Sequence, residues 1–152
     1  MKKTITVIIL SIATISLCTA FIVKNSNGKS GYTGSPSEAT CANCHGGGTS
    51  AAKSISISAS PSFIQDKYLP DSAYTVSITV NATGFSEFGF GCEILNMFNL
   101  SIGNMQTAGP GVQFLNAGNG RKNATHTFPK IGTNTATFTL TWIAPSAGGS
   151  NA

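Results

Sequence analysis

Charge is what this sequence has least of: only 9% of its 152 residues are Asp, Glu, Lys or Arg. The five acidic residues, Glu38, Asp66, Asp71, Glu87 and Glu93, show no pairing of the kind general acid–base chemistry uses. No G-x-S-x-G elbow and no phosphate-cradling loop occurs, so the common hydrolase and nucleotide-dependent classes have no foothold. Basic residues are scattered apart from Arg121-Lys122, which excludes a nucleic-acid stripe. The formal charge of +4 and the pI of about 9.0 owe much to Lys2 and Lys3, which precede a hydrophobic segment. Helical periodicity is missing after that segment, and there is no internal repeat. Four cysteines are present, Cys18, Cys41, Cys44 and Cys92. The three beyond the leader give no even disulfide framework.

What is there begins with an export signal. Lys2-Lys3, the uncharged stretch from Thr4 to Val23, and the polar run Lys24 to Gly28 follow the order of a leader peptide. Residues 1–23 are therefore expected to direct the chain to the periplasm, the outer face of a membrane or the medium. Cys18-Thr19-Ala20 offers cleavage after Ala20, while about 30 Å of helix would also serve as an anchor, so both outcomes stay open. Leu17 is too bulky for the usual lipobox, which argues against lipidation of Cys18.

Residues 24–52 are rich in Gly, Ser and Asn, broken by Ser35-Pro36 and Gly46-Gly47-Gly48, and are expected to be a flexible loop segment. From residue 53 onward a period of two takes over. Ile55 and Ile57 alternate with serines, and Tyr74, Val76, Ile78 and Val80 alternate with Thr and Ser. The same spacing runs through Phe88, Phe90, Cys92 and Ile94, then Phe98, Leu100 and Ile102, a short stretch at Val112 to Leu115, and Ala136, Phe138, Leu140 and Trp142. Asn116 to Asn123 reads as loop. Six or seven short strands separated by turn signals predict an all-β, two-sheet sandwich over 53–152. Cys92 falls in phase with Phe90 and Ile94 and is expected to act as a small buried hydrophobe.

One pentapeptide carries chemistry: Cys41-Ala42-Asn43-Cys44-His45. Two thiols at this spacing can add to the two vinyl groups of one haem, and the adjacent His45 then reaches the iron as proximal axial ligand. Zinc, a Cys41–Cys44 disulfide and a redox dithiol compete for the same residues. Zinc wants four ligands, and only the isolated Cys92 and His126 remain to complete a set. A redox dithiol expects an α/β setting that the pattern lacks. His126, in Thr125-His126-Thr127, is the candidate distal ligand, with Met97 and Met105 as alternatives. Cover for the group would have to come from the sandwich, with Tyr32, Phe63, Tyr68 and Met97 as contributors. A haem held by a glycine-rich loop against a sheet stays partly exposed, which suits electron exchange.

The order of Gly31-Tyr32-Thr33-Gly34-Ser35-Pro36, the C-x-x-C-H motif, Tyr68 to Val80, Gly89-Phe90-Gly91, Thr125-His126-Thr127 and Thr139 to Pro145 resembles the bacterial choice-of-anchor V proteins, related to the Reeler domain. The resemblance implies an immunoglobulin-like sandwich on a secreted or cell-surface protein; it does not imply a catalysed reaction. Members with C-x-x-C-H are generally read as haem-binding, and the recurring Thr-His-Thr position adds weight to His126. Such domains usually run on past the Ala-Pro segment into a further strand, whereas here Ser146 to Ala152 follow. The expected consequence is either a truncated product or an exposed C-terminal sheet edge, filled by a strand-donating or self-assembly partner.

The function expected from these residues is that of a monohaem c-type cytochrome, not an enzyme, passing electrons to a redox partner protein at the cell envelope. The alternative is a surface adhesion or assembly module whose Cys41 and Cys44 form a disulfide or a structural metal site. Haem-based sensing at an open coordination position is a weaker third reading.

Overall fold

A computed structural model describes residues 26–45 and 53–146. The leader, the glycine run at 46–48 and the tail 147–152 lie outside the described residues, and with them the questions of cleavage and anchoring. Among the described residues no helix is long and apolar enough to cross a membrane.

The alternating apolar positions produce the strands they should. β1 (Lys53–Ser60), β2 (Ala73–Ala82), β5 (Asn104–Ala108) and β9 (Thr135–Ile143) form a four-stranded antiparallel sheet in the order β1-β2-β9-β5. β4 (Gly91–Cys92), β7 (Lys122–His126) and β6 (Val112–Asn116) form a three-stranded sheet in the order β4-β7-β6. β3 (Glu87–Phe88) and β8 (Lys130–Ile131) make a separate two-stranded ladder. Every pairing is antiparallel, so the protein is all-β, consistent with a sandwich.

Register explains the core. Tyr74 faces Trp142, Val76 faces Leu140 and Ile78 faces Phe138, so directly opposed residues share a face of the sheet and pack as pairs. From the other side come Val112, Ala124, Phe88 and Phe90, and Phe90 stacks on Phe138 with ring centroids 4.4 Å apart. Burial of each such side chain contributes about 1.5–3 kcal/mol. The polar atoms drawn in with them are satisfied: the Trp142 indole N–H donates to the Ile102 carbonyl at 2.9 Å, and the Tyr74 hydroxyl accepts from the Leu69 amide at 2.6 Å.

Several expected strands take another form. Phe88 to Ile94 is not continuous: the chain leaves β3 at Phe88 and joins β7 only at Gly91. At Phe90 the backbone bonds to a side chain, that of His126, instead of to a neighbouring strand. Phe98 and Leu100 sit on an exposed hairpin tip, where Asn96 Oδ1 accepts from the Phe98 and Leu100 amides and Asn99 takes a left-handed conformation. Local Asn chemistry outweighs the apolar alternation there. Asn116 to Asn123, expected to be loop throughout, ends in β7, whose polar residues Asn123 and Thr125 are fully buried. The last described strand, β9, lies between β2 and β5, so among the described residues the free edges of the larger sheet are those of β1 and β5.

Candidate functional site

The segment 26–45 has no regular structure beyond a three-residue 3-10 turn at Cys41–Asn43. It is nonetheless tied closely to β7. The Gly28 amide donates to the His126 carbonyl at 2.8 Å, and the Gln113 side chain donates to the carbonyls of Gly28 and His126. A β-carbon on Gly28 would stand 2.4 Å from the Thr125 β-carbon, so only glycine lets the segment approach this closely. Further along, the Gly31 amide donates to Asn123 Oδ1 at 2.7 Å, and Arg121 Nη2 donates to the Pro36 carbonyl at 2.8 Å.

A buried charge cluster completes the attachment. Arg121 stands 3.5 Å from Glu38 Oε1 and 3.4 Å from Glu93 Oε1, with both carboxylate side chains at most 1% exposed. Asn123 Nδ2 donates to both acids, and the Thr33 hydroxyl and amide donate to Glu38. Burial pushes the Glu38 carboxyl up, but the bonds from Thr33 and Asn123 outweigh it and hold the group at about 2. Glu93 moves the other way. Burial, the hydrogen bond with Glu38 and its charge raise it, with Arg121 only partly offsetting them. Glu93 Oε2 has no hydrogen-bond partner among the described residues, a cost that protonation reduces.

The sign of each shift fixes a pH dependence. Glu38, lowered from 4.5, contributes stability that is present above pH 4.5 and lost as pH falls toward about 2. Glu93, raised from 4.5, contributes stability that is present below that value and lost as pH rises through its folded pKa. Urea midpoints are therefore expected to peak in mildly acidic solution and to fall on both sides. Glu93→Gln should abolish the decline on the high-pH side and leave the acid one; an unchanged high-pH decline would show that Glu93 is not the group responsible.

The motif itself is shaped by Asn43. Its Oδ1 accepts from the Thr40 amide at 3.0 Å and the Thr40 hydroxyl at 3.2 Å, while the amides of Cys44 and His45 both donate to the Cys41 carbonyl. The turn leaves Cys41, Cys44 and His45 exposed, with both thiols free. The ring of His126 lies against Gly89: a β-carbon there would be 2.6–2.9 Å from three imidazole atoms. His126 Nδ1 is 3.1 Å from both the amide nitrogen and the carbonyl oxygen of Phe90. With the proton on Nε2 the ring accepts from the Phe90 amide at Nδ1; with the proton on Nδ1 it donates to the Phe90 carbonyl, which leaves Nε2 as the lone-pair nitrogen.

One small, open-sided cleft of about 50 Å³ gathers these groups. Its lining includes Lys29, Tyr32, Cys41, Cys44, His45, Phe90 and His126. The structure thus brings His126 to the C-x-x-C-H motif from far along the chain. Of the residues expected to cover a bound group, only Tyr32 lines the cleft. Phe63 and Tyr68 pack on Tyr74 and Trp142, Met97 is exposed, and Met105 is buried in the core. Sequence reading missed Lys29, Phe90 and the Gly89 contact, because nothing in a period-two pattern marks which residue borders a cleft. Cys92 is half-buried and packs against the core; burial, then the Glu93 charge, pushes its thiol up to about 11, which makes it unreactive.

No group of three or more His, Cys, Asp and Glu able to hold a bare metal ion comes together among the described residues. The thiols of Cys41 and Cys44, the imidazoles of His45 and His126, and the rings of Phe90 and Tyr32 border the same cleft. Lys29 is the charged side chain of the lining, held near the Tyr32 ring at 4.7 Å from its centroid. Comparison with protein-family models, curated proteins and solved structures finds no match to this chain.

Proposed function

We propose that the protein is an exported monohaem c-type cytochrome whose haem is attached through Cys41 and Cys44, with His45 as proximal ligand and His126 as distal ligand. The observation that carries this is the single cleft shared by the C-x-x-C-H motif and His126. Cys41 and Cys44 would hold the group by adding across its two vinyl groups, each thiol giving its sulfur to one vinyl carbon and its hydrogen to the other, so that no oxidant would be required. The bound group would supply a one-electron change at iron.

The protein's own residues do the rest. With the proton on Nδ1, the Phe90 carbonyl would fix the His126 ring orientation and leave the Nε2 lone pair for the iron, as partners of ligating histidines do. Lys29 places a cation beside the cleft, where it would pair with a propionate carboxylate. The motif is exposed throughout, so electrons would pass over a short distance to a partner protein docked at the envelope or cell surface. This is a carrier's arrangement, not an enzyme's. We read the domain as an immunoglobulin-like, Reeler-like two-sheet sandwich of the choice-of-anchor V kind, a reading supported by two antiparallel sheets that share one core.

An absorption spectrum of protein made with haem-attachment machinery tests the proposal. A sharp Soret band and a reduced α-band at about 550 nm are expected; a colourless product with free or mutually oxidised thiols would overturn it. The distal ligand has its own test in Gly89→Ala. The added methyl group collides with the imidazole, at a stability cost of about 1–3 kcal/mol. Loss of the six-coordinate signature and new carbon monoxide binding should follow, and an unaltered six-coordinate spectrum would remove His126 from the iron.

A further inference from the structure

The two free edges of the larger sheet differ in a way that bears on assembly. β5 is short and carries a bulge, since Met105 faces Trp142 while Thr107 faces Thr141, leaving Gln106 unpaired. Short length and bulging are standard devices that prevent one edge from joining another. β1 has neither. It runs for eight residues, Lys53–Ser60, in unbroken register with β2, has no proline, and bears one charge at its first position. Its other edge has no partner among the described residues.

The side chains of β1 are also unusual. Ile55 faces Val80 and Ile57 faces Ile78, so both isoleucines point to the core side of the sheet. Yet they are 69% and 67% exposed, since the described strands of the smaller sheet do not extend over them. Two core-side isoleucines in open water, on an unprotected edge, ask for a covering strand.

We infer that β1 is a self-association edge, through which two copies of this chain pair antiparallel about a two-fold axis at Ser56. The strand sequence Lys-Ser-Ile-Ser-Ile-Ser-Ala-Ser is self-complementary in that register. Ser56 meets its own copy, Ile55 meets Ile57, Ser54 meets Ser58, and Lys53 meets Ala59. Isoleucines fall on isoleucines, serines on serines, and the strand's one charge avoids its symmetry mate, which is why a second copy fits better than an unrelated strand. The two four-stranded sheets become one continuous eight-stranded sheet, and four isoleucines cluster on a single face. Contact through one strand per copy is small, so the association belongs to the weak, concentration-dependent class. It is independent of whether haem is bound.

Disulfide trapping tests the register, because directly opposed residues of antiparallel strands lie about 4.5–5.5 Å apart at Cα, within disulfide reach. Single cysteines at exposed serines of the exported chain should not disturb the fold, and the parent chain gives the background from its own thiols. S56C is expected to form a covalent dimer on mild oxidation. S54C and S58C should each remain monomeric alone and cross-link when mixed. Sedimentation of the parent should show reversible dimers that rise with concentration. A parent that stays monomeric up to millimolar concentration would overturn the proposal, as would self-cross-linking of S54C equal to that of S56C.

Discussion

Replacing both Cys41 and Cys44 with alanine is expected to give a colourless protein that lacks the mass of one haem and keeps its β-rich circular dichroism. The reasoning lies in where the thiols stand. Both are exposed on a turn outside the sheets, and neither packs in the core, so their removal costs the strands nothing. What would be lost is the covalent hold proposed for the haem, and with it the visible absorption bands. Each single variant should retain one thioether and a weakened band. Mass spectrometry of the intact chain checks the attachment, and far-ultraviolet dichroism checks the fold. A double variant that retained the mass and colour would place the attachment elsewhere and sink the proposed function.

Arg121→Leu should destabilise the protein by about 3–5 kcal/mol, the range found when one partner of a buried ion pair is removed. The loss is large because Arg121 answers two carboxylates at once and also donates to the Pro36 carbonyl. Leucine would leave Glu38 and Glu93 buried together with no countercharge. In a domain of this size the melting temperature should fall by roughly 10 °C or more. The loop should loosen before the sheets do, since its attachments converge on Arg121 and Asn123 while the core under β2 and β9 is separate. Hydrogen exchange at the Gly31 and Ala39 amides would report that order. Combining Arg121→Leu with Glu38→Gln and Glu93→Gln should recover part of the loss, because the uncompensated charge goes too. A change below about 1 kcal/mol for the single variant would show that the cluster does not hold the loop.

The strongest strands were legible because burial and alternation agree in them. β2 and β9 carry Tyr74, Val76, Ile78, Phe138, Leu140 and Trp142 at strict period two, and all six are buried on one face. β7 was not legible, since Lys122 to His126 contains no large apolar residue. Its burial comes from Asn123 and Thr125, whose polar atoms face a loop remote in sequence. The hairpin at Asn96 misled in the opposite sense, its apolar alternation being an exposed tip. At the site, the local motif Cys41 to His45 was readable from spacing alone. That His126 reaches the same cleft depends on Gly28 and Gly89 having no side chains and on Glu38, Glu93 and Arg121 meeting inside the protein. Such long-range contacts leave no local period in the sequence.

The architecture of β7 has one more implication. His126 offers its ring to one wall of the cleft and its carbonyl to Gly28 at the start of the other, while Asn123 and the adjoining Arg121 grip that second wall further on. Both walls are thus tied to a single short strand, so a substitution that displaces β7 is expected to shift the two together.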